Sequence, residues 1–129
     1  MLDPPAVSAR VPATPQFVQV LRNVAAGVAA RLDMPIDDIE ELRLAVTEAA
    51  SLLLDESTPG SLRLAIVRRA DGVGVRISSD GTVDPWPSDS ALRSWPWLVV
   101  KGLTDVVALE RDDDGSPSVT FSKHLGVTP

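Results

Sequence analysis

The sequence contains no cysteine, which excludes a disulfide framework, a thiolate metal site and a thiol nucleophile, so stability has to come from packing. It has no apolar stretch near the roughly 18 residues needed to cross a membrane. Met1-Leu2-Asp3-Pro4-Pro5 shows neither the basic start nor the apolar run of a signal peptide. The expectation is a cytoplasmic chain without a membrane partner. Positive charge is also scarce: twelve basic against eighteen acidic residues leave a net charge of −6. The arginines are scattered rather than clustered, so no surface suited to tracking phosphates is expected and nucleic acid is not expected as a direct partner. The one histidine, His124, stands outside any Ser-His-Asp arrangement and reads as a surface residue. With 129 residues, residues 1–129 make one domain around one core.

What is present is a clear alternation of patterns. Val7, Ala9 and Val11 alternate with Ser8 and Arg10 in the period of a half-buried edge strand ended by Pro12. Thr14-Pro15 is a helix start, followed by Phe17, Val20, Leu21, Val24, Val28 and Leu32 at helical spacing. A second helix is predicted from about Pro35–Asp38 through Leu42, Val46, Ala49 and Leu53, stopping near Ser57-Thr58-Pro59-Gly60. Leu62, Leu64 and Ile66, then Val73, Val75 and Ile77, form two alternating strands joined by a tight Asp71-Gly72 turn. Residues 80–94 are rich in Gly, Pro, Asp and Ser, a loop that is either a functional lid or disordered. A third helix from Trp97 to Thr104, a strand Val106–Arg111, a turn at Asp112-Asp113-Asp114-Gly115 and a last strand Val119–Lys123 complete the chain. The acidic turn lacks the further ligands of a calcium loop. The order β-α-α-β-β-α-β-β gives an α+β fold, a two-layer α/β sandwich with helices on one sheet face.

Chemistry concentrates on the second helix. Leu44, Glu48, Ser51, Leu52 and Asp55 share a face distinct from the stripe Leu42, Val46, Ala49 and Leu53. Glu48 is therefore a carboxylate among apolar neighbours, a base or an ordinary solvated glutamate. Trp86, Trp95 and Trp97 flank the lid, as core packing or as a partner contact.

Leu42-Arg43-Leu44-Ala45-Val46-Thr47-Glu48-Ala49 resembles the first box of the anti-sigma-factor serine kinases, members of the GHKL (histidine-kinase-like, Bergerat-type) ATPase superfamily. Trp97–Val107 is similar to that family's third helix and following strand, so the resemblance spans nearly the whole chain. It implies a fold of the GHKL type. It implies as partners an RNA polymerase sigma factor, which the protein sequesters, and an anti-anti-sigma antagonist, with a homodimer a further implication. Family members contact partners through a surface including the first helix, which puts Gln19, Arg22 and Asn23 forward here. The family glutamate is the general base, placed at Glu48, and an asparagine one turn later holds the magnesium of bound ATP.

The resemblance departs at three places. Leu52 stands where the family has the magnesium-holding asparagine and offers no lone pair, while Ser51 points about 100° away around the helix. The family's Asp-x-Gly-x-Gly turn is matched by Ser79-Asp80-Gly81-Thr82-Val83: Ser79 takes the adenine-reading position, or Asp80 takes it with a one-residue shift, and the second glycine is absent. Ser88–Pro96, in the lid, has no glycine to let backbone amides approach a phosphate. The expectation is a vestigial nucleotide site at Glu48, Ser51, Leu52, Ser79, Asp80 and Gly81, no metal site, no cofactor, and a regulator that works by holding partners. The alternatives are an active serine/threonine kinase using ATP and Mg²⁺ with Glu48 as base, and an unrelated enzyme using Glu48 alone.

Overall fold

Strands that alternate apolar and polar residues need a layer over one face only, and here helices supply it. The computed structural model describes residues 7–58 and 60–124. In chain order these form β1 (Val7–Pro12), α1 (Pro15–Arg31), α2 (Ile36–Glu56), β2 (Ser61–Arg69), β3 (Gly72–Ser79), α3 (Asp89–Leu92), α4 (Trp95–Leu103), β4 (Val106–Arg111) and β5 (Pro117–His124). The strands make one antiparallel sheet in the order β1-β2-β3-β5-β4. The α+β sandwich read from the sequence is therefore the observed fold, with one short helix more than expected.

Register explains the core. Leu64 faces Ile77, Ile66 faces Val75, and Val75 and Ile77 in turn face Phe121 and Val119. All six are buried with Leu21, Leu42, Val46, Leu53 and the alanines of α1 and α2. Burying each large aliphatic side chain contributes about 1.5–3 kcal/mol. Packing of this kind, not covalent bridging, holds the fold. The helix α2 lies between α1 and α4. Lys123 fixes that layer to the sheet by bonding the Glu41 carboxylate of α2 and, at 2.9 Å, the Leu103 carbonyl that ends α4.

Three local expectations change. The apolar stripe of α1 is rotated by about one residue: Val18, Leu21, Ala25 and Ala29 are the buried positions and Val20 is exposed. Small alanines let α1 approach α2 closely, so the bulkier valines move to the flanks. The β2–β3 turn is Ala70-Asp71, because Arg69 pairs with Gly72 and that glycine already opens β3. Gly72 serves a different purpose, since a Cβ there would meet the Lys123 carbonyl oxygen of β5 at 2.1 Å. Finally, residues 80–94 are ordered around α3, and α4 begins at Trp95 rather than Trp97. Both helix starts are capped by serine: Ser88 Oγ accepts from the Ala91 amide at 3.1 Å and Ser94 Oγ from the Trp97 amide at 3.3 Å.

The acidic turn is the hairpin expected. Gly115 adopts φ of +87°, a conformation glycine tolerates without strain, and Asp112 turns back to pair with Arg76 at 2.5 Å and Arg63 at 3.3 Å on the open sheet face. His124 is a surface residue beside Asp71 and Asp105, at 3.6 and 3.8 Å. No helix among the described residues is long and apolar enough to cross a membrane.

Candidate functional site

Glu48 lies mid-way along α2, half-buried, with no hydrogen-bond or ion-pair partner among the described residues. One turn later the expected pattern breaks. Leu52 is 0% exposed and belongs to the core, so it does not share the outward face of Leu44 and Asp55. The reason is α4, which runs antiparallel beside α2: Leu103 lies by Glu41 at one end, and Ser88 and Ser90 bond Glu56 at the other. Between those ends, Ala45 and Leu52 are both fully buried. Ser51, on the other flank, lines a cleft between α1 and α2.

The segment after β3 is equally committed to the fold. Ser79 is fully buried and its hydroxyl lies 3.2 Å from that of Ser57, which itself donates to the Leu53 carbonyl at 2.7 Å and so finishes α2. Asp80 accepts from the amides of Gly60 and Ser61 at 2.7 and 2.9 Å and from the Ser61 hydroxyl at 2.9 Å, with Arg10 at 3.8 Å. The Ser61 amide foremost, then the Ser61 hydroxyl, the Gly60 amide and Arg10, hold its carboxyl below the ordinary 3.8 against a smaller opposing effect of burial. Both side chains thus bond the ends of neighbouring elements. Gly81 follows, half-buried.

The lid residues are pinned at both sides. Trp86 is buried and donates its indole N–H to the Glu110 carbonyl of β4 at 2.8 Å; Arg111 donates to the Val83 carbonyl at 2.9 Å. Ser88 and Ser90 donate to the Glu56 carboxylate, Ser90 at 2.7 Å. Trp97 is buried as well, whereas Trp95 is exposed. The three tryptophans therefore divide, two to packing and one to the surface. Sequence reasoning did not reveal the Glu56 anchor, although Ser88-x-Ser90 after a long acidic-ended helix was its only visible sign.

Magnesium-bound ATP, which the family implies, needs an oxygen donor near Glu48. Leu52 supplies none and is buried; Ser51 faces α1. Among the described residues no three His, Cys, Asp or Glu side chains are grouped to hold a metal. The donor set at this place does not fit the ion held in the family's manner.

The first-helix residues do meet polar groups of α2. Gln19 and Arg22 line a cleft of about 330 Å³ together with Thr47, Ser51, Leu54 and Asp55. Arg22 Nε is buried there with no hydrogen-bond partner among the described residues, an uncompensated donor that a bound group would satisfy. Asn23 is exposed beside it. Thr47 is the polar addition sequence reading missed; its spacing of four from Ser51 was the available signal.

No family model matches the chain. Serine-protein kinase RsbW of Bacillus cereus (strain G9842) is 31% identical to it across 92% of this chain and 84% of that protein. The chain belongs to the RsbW family. Serine-protein kinase RsbW of Halalkalibacterium halodurans is also 31% identical, over 61% of this chain and 50% of its own length, so the match spans only half of that relative. A crystal structure of the RsbU and RsbW domains of a Mycobacterium tuberculosis protein superposes with a TM-score of 0.69 at 16% identity, over 94% of this chain and 33% of that one. The relatives are named as serine-protein kinases, and this chain has the fold of an RsbW domain.

Proposed function

We propose that this RsbW-family chain is a cytoplasmic anti-sigma regulatory factor that sequesters an RNA polymerase sigma factor, is countered by an anti-anti-sigma antagonist, and works with weak or no ATP binding. The observation that carries the last part is the burial of Leu52. At the position where the resemblance calls for a metal-holding asparagine, an apolar side chain is fully buried in the core. Two further positions support it. Ser79 is engaged with Ser57, and the Asp80 carboxylate is occupied by the Gly60 and Ser61 amides; neither carries a free group for an adenine. For sigma binding, the α1 surface of Gln19, Arg22 and Asn23 is the proposed contact, supported by the unpartnered Arg22 Nε facing a cleft. A homodimer is part of the same reading.

Coexpression with sigma factors from the source genome, followed by size-exclusion chromatography, tests the regulatory role: co-elution with one cognate sigma is expected and should be lost on Arg22→Glu. Failure with every sigma factor overturns it.

A second reading, an active serine/threonine kinase, is favoured by one feature. Glu48 is half-buried and without a partner among the described residues, as a general base would be. A ligand that binds only the folded state raises the melting temperature by mass action, by about 2.7 kcal/mol of stability at a hundredfold excess over Kd. Millimolar ATP with Mg²⁺ should leave the melting temperature unmoved here; a clear rise transfers the case to the kinase.

A further inference from the structure

The helical layer ends on the α4 side in a ridge left exposed among the described residues. Trp95 is 72% exposed, Leu98 51% and Leu92 42%. Trp95 and Leu98 are three residues apart on one helix and so share a face; Leu92 ends the helix immediately before. Large apolar side chains grouped in this way mark contact surfaces more often than chance exposure does. Arg93 stands between Leu92 and Trp95, and Lys101 three residues beyond Leu98. Neither has a carboxylate within ion-pair distance among the described residues, although the chain carries eighteen acidic residues and a net charge of −6. The Lys101 ammonium lies 5.6 Å from the centre of the buried Trp97 ring.

We propose that the α3–α4 ridge is a docking surface, separate from the α1 face, for an amphipathic helical segment of a protein partner whose apolar stripe is bordered by aspartate and glutamate. The α2 helix stands between α1 and α4, so the two surfaces lie on opposite flanks of the helical layer. Charge complementarity selects the acidic border: Arg93 and Lys101, neither with a carboxylate at ion-pair distance among the described residues, stand next to exposed apolar side chains on a molecule of net charge −6. Tryptophan and arginine together are the residues that most often dominate interface energy. The surface is also rigid before binding. Ser88 and Ser94 cap the two helices, Glu56 holds Ser88 and Ser90, and Trp86 is tied to β4, which lowers the ordering cost of association. A convex helix ridge is met by the groove of another helix. This proposal goes beyond the sigma-binding reading and does not require it.

The test uses the full chain and two fluorescent synthetic peptides, one an amphipathic Leu/Glu heptad sequence and the other its twin with each Glu replaced by Lys. Fluorescence anisotropy should show the Glu peptide binding at least about tenfold more tightly, with salt weakening it. Tryptophan emission should shift to the blue, reporting Trp95 because Trp86 and Trp97 are already buried. Trp95→Ala and Leu98→Ala should each weaken the Glu peptide about tenfold. The double charge reversal Arg93→Glu with Lys101→Glu touches only exposed groups, so it should fold normally and invert the preference toward the Lys peptide. Equal affinity for both peptides, unchanged binding by Trp95→Ala, or an uninverted preference in the charge-reversed protein overturns the proposal. So does concentration-dependent self-association that buries Trp95 and that the Glu peptide does not compete, which assigns the ridge to a second copy of this chain.

Discussion

The carboxylate of Asp80 accepts the amide hydrogen of Ser61 at 2.9 Å while the Asp80 amide donates to the Ser61 carbonyl at 3.3 Å. The end of β3 is thus closed onto the start of β2 by a reciprocal pair, to which the Gly60 amide adds a 2.7 Å bond. Replacing Asp80 with alanine strands two amides and a hydroxyl near the chain reversal after α2. A loss of about 1–2 kcal/mol is expected, read as a lower urea midpoint.

The same residue makes stability depend on pH. Its folded-state pKa lies below the ordinary 3.8, chiefly through the Ser61 amide, so the unfolded chain takes up the proton first as acid is added. Asp80 therefore contributes stability that is complete above the ordinary value and is lost as pH falls from there through the lowered one. Asp80→Asn keeps an acceptor oxygen for the amides but cannot titrate. The gap in melting temperature between wild type and Asp80→Asn should be constant above about pH 5 and should close as pH falls below 3.8; a gap that widens in acid contradicts the assignment.

Leu52→Asn separates a vacant ligand position from a core position. Were Leu52 merely a missing magnesium ligand on an open face, asparagine would cost little and would bring back nucleotide binding. Leu52 is fully buried, so the substitution removes core packing and places an amide among aliphatic groups. The expected loss is about 3 kcal/mol or more, a large part of the stability of a domain this size, with no gain in thermal shift from ATP and Mg²⁺. Chemical denaturation and the nucleotide titration together check both halves.

The alternation of Leu62, Leu64 and Ile66 against Val73, Val75 and Ile77, and the 42, 46, 49, 53 stripe of α2, were legible because each side chain's direction follows from backbone period alone. The sheet and the sandwich could be read from them. What could not be read depends on packing between distant elements. Helical spacing put Leu52 beside Glu48, and only the path of α4 across α2 decides that one is core and the other half-open. Likewise, serine, proline and aspartate between 80 and 94 read as loop; that Trp86 finds the Glu110 carbonyl and Ser88 the Glu56 carboxylate requires the tertiary fold. The resemblance of the helix box around Glu48 was legible, since the box is local, whereas the cleft joining Arg22 to Thr47 and Asp55 needed two helices in place.

Trp86→Phe tests whether the segment before α3 is held by its indole. Phenylalanine keeps the ring's bulk but loses the 2.8 Å bond to the Glu110 carbonyl, for a net cost of about 1 kcal/mol. Because the bond joins this segment to β4, the effect should be local. Hydrogen exchange should quicken at residues 88–94 while the amides of β3 and β5 keep their protection; uniform acceleration across the sheet would instead place Trp86 in the global core.

Glu48 offers the last discrimination, because the two readings of this chain assign it opposite importance. As a half-buried glutamate without a partner among the described residues, it ties down no neighbouring element there, and Glu48→Ala should change stability by no more than about 0.5 kcal/mol. A kinase that depends on it as general base would lose about a hundredfold or more in phosphoryl transfer. A regulator that acts by holding its partner would keep its affinity. Sigma retention on a column and phosphorylation of the antagonist, measured on the same Glu48→Ala preparation, should therefore give full retention, with no phosphorylation to lose in the wild type. Loss of sigma binding on Glu48→Ala, with the melting temperature unchanged, would move the partner surface from α1 onto α2 itself.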